Sequence, residues 1–282
     1  MDFSFGCALA YRLQAPTPFV FNLEAARHGG QGISGERLAL APDLPVERWT
    51  MPESGNRYLR VVAGPGEFRL EYEGKAALSP RLEDPAGVAE VPPGELPFEV
   101  YPHLYPSRYC QSDRLERFAR RTFGGAPPGH GRVAAVCNWI REHVDYAAGA
   151  SDASTSALDT LVRRAGVCRD FAHLAVALCR ALGIPARYVS AYAWRLEPCD
   201  FHAAVEAWLR GPEGGGWYLF DPTRMSAPEG IVRIGVGRDA SDVAFASPFG
   251  AFEAEPPRVW IAGPEGADRA PSTTLAVRYG AG

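Results

Sequence analysis

Residues 166–185 read GVCRDFAHLAVALCRALGIP and carry the strongest structural signal in the sequence. Apolar residues recur there every three or four positions, and this spacing predicts a helix that ends at Leu182. A second stripe of small and apolar residues runs beside the first, so the helix is predicted to be buried around most of its circumference. Gly183 suits the position after the last helical residue, and Pro185 prevents the helix from continuing.

Cys168 lies in the first turn of this helix. The N-terminus of a helix presents unpaired N–H groups and a partial positive charge. Both favour a thiolate over a thiol, and the backbone N–H of Cys168 can also donate to an oxyanion when the sulfur attacks a carbonyl carbon. The position therefore fits a nucleophile, although a buried structural cysteine is a common alternative.

A histidine and an aspartate follow on predicted strands, which cover residues 186–194, 201–210 and 217–221. His202 starts the second strand and Asp221 ends the third. The glycine-rich residues 211–216 between them are predicted to form the loop of a hairpin. A loop centred near Glu213 brings Asp221 close to His202 on the neighbouring strand.

Each of these residues also has an ordinary structural explanation. A single histidine at the start of a strand is commonly structural, and an Asp-Pro pair is a common turn. The combination is more specific, because a cysteine at a helix start, a histidine on a strand and an acid on the next strand are what a Cys-His-Asp site requires. In such a site Asp221 would hold the tautomer of the His202 imidazole.

The remaining chain divides into a β-rich first part and a mixed second part. Short alternating runs at residues 57–62 and 68–72, separated by Gly-Pro turns, predict a β-sandwich-like N-terminal domain. The Pro- and acid-rich residues 80–97 are predicted to be an exposed loop or linker. The predicted domains are residues 1–105 and 106–282.

Further elements are predicted in the second domain. The other helices are expected over residues 113–123, 132–144 and 154–164. Strands are expected over residues 230–235, 258–262 and 274–278. Strands that follow residue 224 are expected to extend the sheet of the second domain or to return to the first domain.

Composition narrows the class of protein. The chain has 282 residues, a net charge of -4, 46% hydrophobic and 22% charged residues, which fits a folded globular protein. No apolar run approaches the roughly 18 residues of a membrane span, and residues 1–20 lack the order of a signal peptide. We therefore expect a cytoplasmic protein with reduced thiols, in which the six cysteines do not form a disulfide framework. The acidic balance without a basic cluster argues against nucleic-acid binding.

The spacing of cysteine, histidine and acidic residues bears on whether the protein binds a metal ion. Cys199 and His202 have the short spacing of zinc ligands, but zinc sites usually need a second close pair, and the sequence contains no Cys-x-x-Cys. The alternating acidic residues of a calcium loop are absent from the sequence as well. We expect neither a metal nor a cofactor.

The motifs resemble a known family. Residues 166–174 and 180–189, followed by the DFHA of residues 200–203 and the WYLFDPT of residues 217–223, resemble the core of the transglutaminase-like family of papain-like cysteine acyltransferases and peptidases. The resemblance runs from about residue 132 to residue 224. It implies an α+β fold in which a nucleophile helix packs on an antiparallel sheet, beside the N-terminal β domain found in bacterial relatives.

The resemblance also implies residue roles. It makes Cys168 the nucleophile, His202 the general base and acid, and Asp221 the orienting acid. It marks Asp170 as a recurring motif residue, whose structural role would be to cap the helix and complement its dipole. It also includes the lead-in that holds Tyr146. From residue type alone, the Tyr146 hydroxyl or the Trp139 indole N–H is a candidate second donor for an oxyanion hole beside the Cys168 N–H.

The expected activity is chemistry on an amide bond through a thioester on Cys168, by hydrolysis or by transamidation of a peptide or protein substrate. Two other classes stay open, namely a non-catalytic binding or scaffold protein on the same core, and a thiol redox protein. The redox class needs a resolving cysteine. Cys179 lies on the same helix as Cys168 but is expected in the core. His173, also on this helix, is expected to be structural or to bond a neighbouring loop. The sequence leaves the oligomeric state open.

Overall fold

Strands dominate the first eighty residues, and helices are confined to the middle of the chain. The computed structural model describes residues 1–264 and 275–279. The helices are α1 (Glu116–Phe123), α2 (His130–His143), α3 (Ala157–Arg163) and α4 (Cys168–Ala181). The strands are β1 (Asp2–Leu13), β2 (Thr17–Phe21), β3 (Gln31–Ala41), β4 (Glu47–Thr50), β5 (Arg57–Ala63), β6 (Gly66–Leu78), β7 (Arg81–Glu83), β8 (Asp145–Tyr146), β9 (Ala165–Gly166), β10 (Ala186–Ala193), β11 (Phe201–Gly211), β12 (Gly214–Phe220), β13 (Ile231–Gly237), β14 (Ala246–Pro248), β15 (Phe252–Ala254), β16 (Arg258–Ala262) and β17 (Ala276–Arg278).

The N-terminal strands form two antiparallel sheets that face each other. One has the order β15-β1-β6-β3, with β16 also paired to β1, and the other has the order β14-β2-β5-β4. Their inner faces meet through aromatic rings: the centroids of Tyr11 and Phe19 are 4.9 Å apart, and those of Phe19 and Phe68 are 5.4 Å apart. The predicted β-sandwich-like arrangement is confirmed, because alternate residues of β1, β5 and β6 bury apolar side chains between the sheets.

The second part of the chain is built on a third sheet, with strand order β13-β10-β11-β12-β17-β7. Ala203, Val205, Ala207 and Leu209 on one face of β11 pack into an apolar core with α4. The helix is buried from residue 170 to residue 181, as its two apolar stripes predict. The expected α+β core, a nucleophile helix on an antiparallel sheet, is confirmed.

Two of the helices, α1 and α3, begin later in the chain than the sequence predicts. Residues 112–114 form a 3₁₀ turn, so α1 starts at Glu116 and not at residue 113. The third helix starts at Ala157 because Ser156 and residue 159 form a capping box, which fixes the first turn more firmly than the preceding serine and threonine do.

The prediction that residues 80–97 are an exposed loop or linker holds for most of the segment, but three of its apolar residues are buried. Val88, Val91 and Leu96 are buried, and Ala89 exchanges two backbone hydrogen bonds of 2.9 Å with Arg210 at the end of β11. Prolines and acids mark the turns of this segment correctly, but the apolar residues between them cover part of the third sheet.

The predicted six-residue hairpin loop is also wrong. Strands β11 and β12 continue to Gly211 and from Gly214, so the turn is formed by residues 212–213 alone. The glycines belong to the strand because a side chain would not fit: a Cβ at residue 215 would lie 2.9 Å from a ring carbon of Trp208.

The strands that follow residue 224 take both of the expected courses. Strand β13 and the described part of the last predicted strand, β17, extend the third sheet, whereas β14, β15 and β16 return to the N-terminal sheets. Thr274, the first residue of that predicted strand, lies outside the described residues. Pairing crosses residue 105 in both directions, since β7 also joins the third sheet. The division at that residue stays a prediction.

A charged cluster is buried on the face of the third sheet opposite α4. The side chain of Glu206 is fully buried and lies between two arginines: Oε2 accepts a hydrogen bond of 2.6 Å from Nε of Arg187, and Oε1 accepts another from Nη2 of Arg233. Burial opposes ionisation, but the two guanidinium groups hold the pKa of Glu206 below its usual value. The carboxylate therefore stays charged and balances part of the arginine charge.

Replacing Glu206 with Gln is expected to destabilise the protein by about 3–5 kcal/mol, because it leaves two buried guanidinium groups without an anion. Urea unfolding followed by far-UV circular dichroism would measure the loss. The control is Glu67→Gln, since Glu67 forms an exposed ion pair with Arg12 at 3.7 Å, and its loss should change stability by less than about 1 kcal/mol. Equal effects of the two substitutions would contradict this interpretation.

Candidate active site

Cys168 is the first residue of α4 and is only partly buried. Its Sγ lies 3.9 Å from the carbonyl oxygen of Phe201, at the start of β11. All six cysteines are free. Four of them are buried, and burial raises the pKa of three of these, Cys7, Cys110 and Cys179, to about 12. These three thiols are therefore protonated and inert at neutral pH, whereas Cys168 is accessible at a helix N-terminus.

The start of α4 is held by Asp170. Its Oδ2 accepts a hydrogen bond of 2.8 Å from the backbone N–H of Val167, and the side chain is fully buried. Gly166 makes this approach possible, because a Cβ there would lie 2.6 Å from the Cβ of Asp170. The expectation that Asp170 caps the helix is confirmed, and the cap fixes the backbone on which Cys168 sits.

His202 and Asp221 meet as the hairpin register predicts. Strand β12 pairs with β11 up to Phe220 opposite Val205, so Asp221 follows directly at the edge of the sheet. Nε2 of His202 donates a hydrogen bond of 3.0 Å to Oδ2 of Asp221, and both side chains are buried. No described residue accepts from or donates to Nδ1 of His202 within hydrogen-bonding geometry.

Asp221 is fixed by the turn that follows it. Oδ1 accepts hydrogen bonds from the backbone N–H of Thr223 at 2.9 Å and from its hydroxyl at 2.7 Å. Oδ2 accepts from the N–H and the hydroxyl of Ser226, both at 3.0 Å, in addition to His202. Neither Thr223 nor Ser226 is among the predicted site residues, although a hydroxyl residue two positions after an aspartate is a signal of such a turn.

The electrostatics of the pair favour a charged imidazole. Burial lowers the pKa of His202, but the Asp221 carboxylate, with help from the nearby Cys168 thiol, outweighs it and raises the pKa to about 10. Burial acts against Asp221 as well, and the positive charge of His202 together with the turn hydrogen bonds lowers its pKa to about 2. The imidazole is therefore protonated at neutral pH and lies beside both the sulfur and the carboxylate.

Tyr146 lies next to the start of α4. Strand β8 pairs in parallel with β9, which places Tyr146 opposite Gly166, two residues before Cys168. Burial raises the pKa of the Tyr146 hydroxyl. The Cys168 thiol raises this pKa further, whereas the hydrogen bond from the Cys168 backbone N–H lowers it. The structure thus brings Tyr146 beside the cysteine, while its role as an oxyanion donor stays a prediction.

His173 is not part of this cluster. Its Nε2 accepts a hydrogen bond of 3.1 Å from the N–H of Ala240, and its ring stacks on Tyr109 at 4.9 Å between centroids. Burial lowers the pKa of His173 to about 3, so the ring is neutral. The expectation that His173 bonds a neighbouring loop is confirmed.

Within the described residues, neither the requirements of a metal site nor those of a membrane-spanning helix are met. Within residues 1–264 and 275–279, no group of three or more His, Cys, Asp or Glu side chains is arranged to hold a metal ion. In the same part of the chain, no helix has both the length and the apolar character that crossing a bilayer requires.

The fold and the site together define a class: an α+β core in which a cysteine at a helix start lies beside a buried histidine–aspartate pair. A family model described as Transglutaminase-like superfamily matches residues 116–222. A solved structure from Cytophaga hutchinsonii, described as that of a candidate cysteine protease, is 38% identical, covers 99% of this chain and 98% of its own, and superposes with a TM-score of 0.92. The chain belongs to the transglutaminase-like superfamily.

Curated relatives come from mycobacteria. An uncharacterized protein of Mycobacterium leprae is 39% identical over 121 residues, which are 40% of this chain and 42% of the relative. An uncharacterized protein of Mycobacterium tuberculosis is 30% identical over 184 residues, which are 61% of this chain and 57% of the relative. The chain thus spans about half the length of the curated relatives it matches.

Proposed function

We propose that this protein is a cysteine enzyme that acts on amide bonds through a thioester on Cys168. The observation that carries the proposal is the position of His202, which is hydrogen-bonded to Asp221 on one side and lies beside the Cys168 thiol on the other. The likeness to a candidate cysteine protease over nearly the whole chain supports it. A scaffold without activity would not need a buried, charged histidine beside an accessible thiol.

The first half of the reaction forms the thioester. The Cys168 thiolate attacks the carbonyl carbon of the amide, and the C=O electron pair moves to the oxygen. The Cys168 N–H stabilises this oxyanion, with Tyr146 as the candidate for the second donor. When the C–N bond breaks, the His202 imidazolium gives its proton to the leaving nitrogen, so an amine departs and the acyl group stays on sulfur.

The second half releases the acyl group. Neutral His202 takes a proton from water or from a primary amine, which attacks the thioester carbon and expels the Cys168 thiolate. Water gives hydrolysis, and an amine gives transamidation. Asp221 holds the imidazole in the tautomer that both halves require, since its Oδ2 fixes Nε2.

The chemical outcome is tested by mass spectrometry of products. The full chain is incubated with a pool of Gln-containing peptides and an isotope-labelled primary amine, and part of each sample is quenched in acid. We expect an acyl adduct on the peptide that contains Cys168, together with one product class among amine incorporation, deamidation and backbone cleavage. Each class has its own mass change.

The comparison sample is enzyme alkylated beforehand with iodoacetamide, which should form no adduct and no product. An adduct on Cys199, the exposed cysteine, instead of Cys168 would refute the assignment of the nucleophile.

We further propose a peptide or protein as the substrate and the cytoplasm as the location.

A further inference from the structure

Asp200 is an acidic residue that the catalytic proposal does not use. It directly precedes β11, and its Oδ1 accepts a hydrogen bond of 2.7 Å from the backbone N–H of Phe201. The carbonyl oxygen of Phe201 is the group that lies 3.9 Å from the Cys168 sulfur. Because His202 is the next residue along the strand, this hydrogen bond fixes the Asp200 carboxylate two residues before the imidazole.

Within residues 1–264 and 275–279, the charge of Asp200 has no lysine or arginine as an ion-pair partner. Partial burial raises its pKa, while the Phe201 N–H and the charge of His202 lower it. The carboxylate also acts on the hydroxyl of Tyr146. No lysine or arginine of the described residues forms an ion pair with Asp200 or acts on its pKa.

The net charge around the sulfur follows from these groups. A Cys168 thiolate and a protonated His202 together carry no net charge, and the guanidinium of Arg169 lies 3.8 Å from the buried carboxylate of Asp170 and balances it. The carboxylates of Asp221 and Asp200 therefore leave the site negative. Asp221 is buried and its charge is shared among five hydrogen bonds. Asp200 is exposed at the surface and is the carboxylate that an incoming molecule can reach.

We infer that Asp200 is a specificity-determining residue that draws a positively charged group of the substrate, the side chain of a Lys or Arg next to the reacting amide, to the entrance of the site. This inference deepens the proposed function and rests on it. A partly desolvated carboxylate attracts a cation more strongly than one in open water, and it disfavours an acidic group at the same position.

Charged thiol reagents test the inference without an amide substrate. Aminoethyl, methyl and sulfonatoethyl methanethiosulfonate are respectively cationic, neutral and anionic. Each transfers its thioalkyl group to the Cys168 thiolate, forming a disulfide and releasing methanesulfinate. Rates are read by mass spectrometry of the Cys168 peptide. Asp200→Asn keeps the hydrogen bond from the Phe201 N–H and removes the charge.

We expect the ratio of cationic to anionic labelling rates to fall about tenfold in Asp200→Asn, while the rate with the neutral reagent stays within about twofold of wild type. The matched control is Glu71→Gln, which removes one negative charge from the exposed face of β6 and should leave the ratio unchanged. An unchanged ratio in Asp200→Asn overturns the inference. An equal loss with all three reagents also overturns it, because that result assigns Asp200 a structural role.

The same variant separates this inference from the proposed function. With peptide pairs that differ only in Lys or norleucine beside the amide, Asp200→Asn should lower turnover of the Lys peptide selectively. If wild type forms no acyl adduct on Cys168 with any peptide, the proposed function fails whatever the labelling ratio shows. If adducts form but neither ratio nor peptide preference changes, the inference fails alone.

Discussion

Replacing Cys168 with Ala is expected to lower amide turnover by about 10⁵-fold or more, because the reaction loses the atom that forms the thioester. The fold should tolerate the change, since alanine is the best helix former and the side chain of Cys168 is only partly buried. Turnover of the peptide found by product analysis is the measurement. A thermal unfolding midpoint within a few degrees of wild type would show that the loss is chemical.

The control for this variant is Cys199→Ala, which removes the exposed cysteine at the surface and should keep full turnover. Thiol labelling adds a second readout. With iodoacetamide at neutral pH, Cys168 should react before Cys199, because partial burial raises the pKa of Cys199. Turnover that survives in Cys168→Ala would show that another group attacks the amide.

Replacing Asp221 with Asn is expected to lower turnover by about 1,000-fold and to move the alkaline limit of activity to lower pH. The carboxylate is the main group that raises the pKa of His202 to about 10. Without it, the imidazole loses its proton at a lower pH and no longer supplies one to the leaving amine. The pH dependence of residual turnover and an NMR titration of the His202 ring would both record the shift.

The same pair determines a pH dependence of stability. Because the pKa of His202 is raised on folding, the histidine contributes its full stabilisation below the unfolded value of 6.5. This stabilisation is lost as pH rises towards 10. A lowered aspartate pKa stabilises the fold above 3.8 and is lost as pH falls towards 2. Asp221→Asn should therefore reduce stability most between these two unfolded values, where both groups contribute.

Thr223→Val is the matched control for Asp221→Asn. It removes the hydroxyl that donates to Oδ1 at 2.7 Å but keeps the carboxylate. The alkaline limit should move much less than in Asp221→Asn, because the charge beside His202 is retained. An alkaline limit that is the same in Asp221→Asn as in wild type would mean that the carboxylate does not set the proton affinity of His202.

The core of the site could be predicted because its residues sit at positions with strong local signals. Cys168 follows a glycine at the start of a periodic apolar helix, and the strand alternation around His202 together with the short hairpin brings Asp221 beside it. The boundaries of the hairpin differ from the prediction, because a run of glycines is typical of a loop but here continues the strands. Their place in β12 depends on Trp208, a neighbour that only the folded sheet brings close.

Other features depend on contacts between distant residues and leave little trace in the local sequence. The prolines and acids around Val91 are typical of an exposed loop or linker. The buried residues of this segment cover the third sheet, most of whose strands lie about a hundred residues further along the chain. The closeness of Tyr146 to Cys168 follows from a two-residue parallel pairing, which is too short to give a periodic pattern. The role of Asp200 depends on which charges surround it.

The contact between the N-terminal sheets and β10 has a mechanical consequence for the site. The hydroxyl of Tyr192 donates to the carbonyl oxygen of Leu23 at 2.9 Å, and its ring lies 4.8 Å from that of Phe5. Strand β10 pairs along its length with β11, where Ala191 is opposite His202. The N-terminal sheets therefore support the strand that pairs with β11 opposite His202, and we expect a substitution that loosens this contact to change the position of the imidazole.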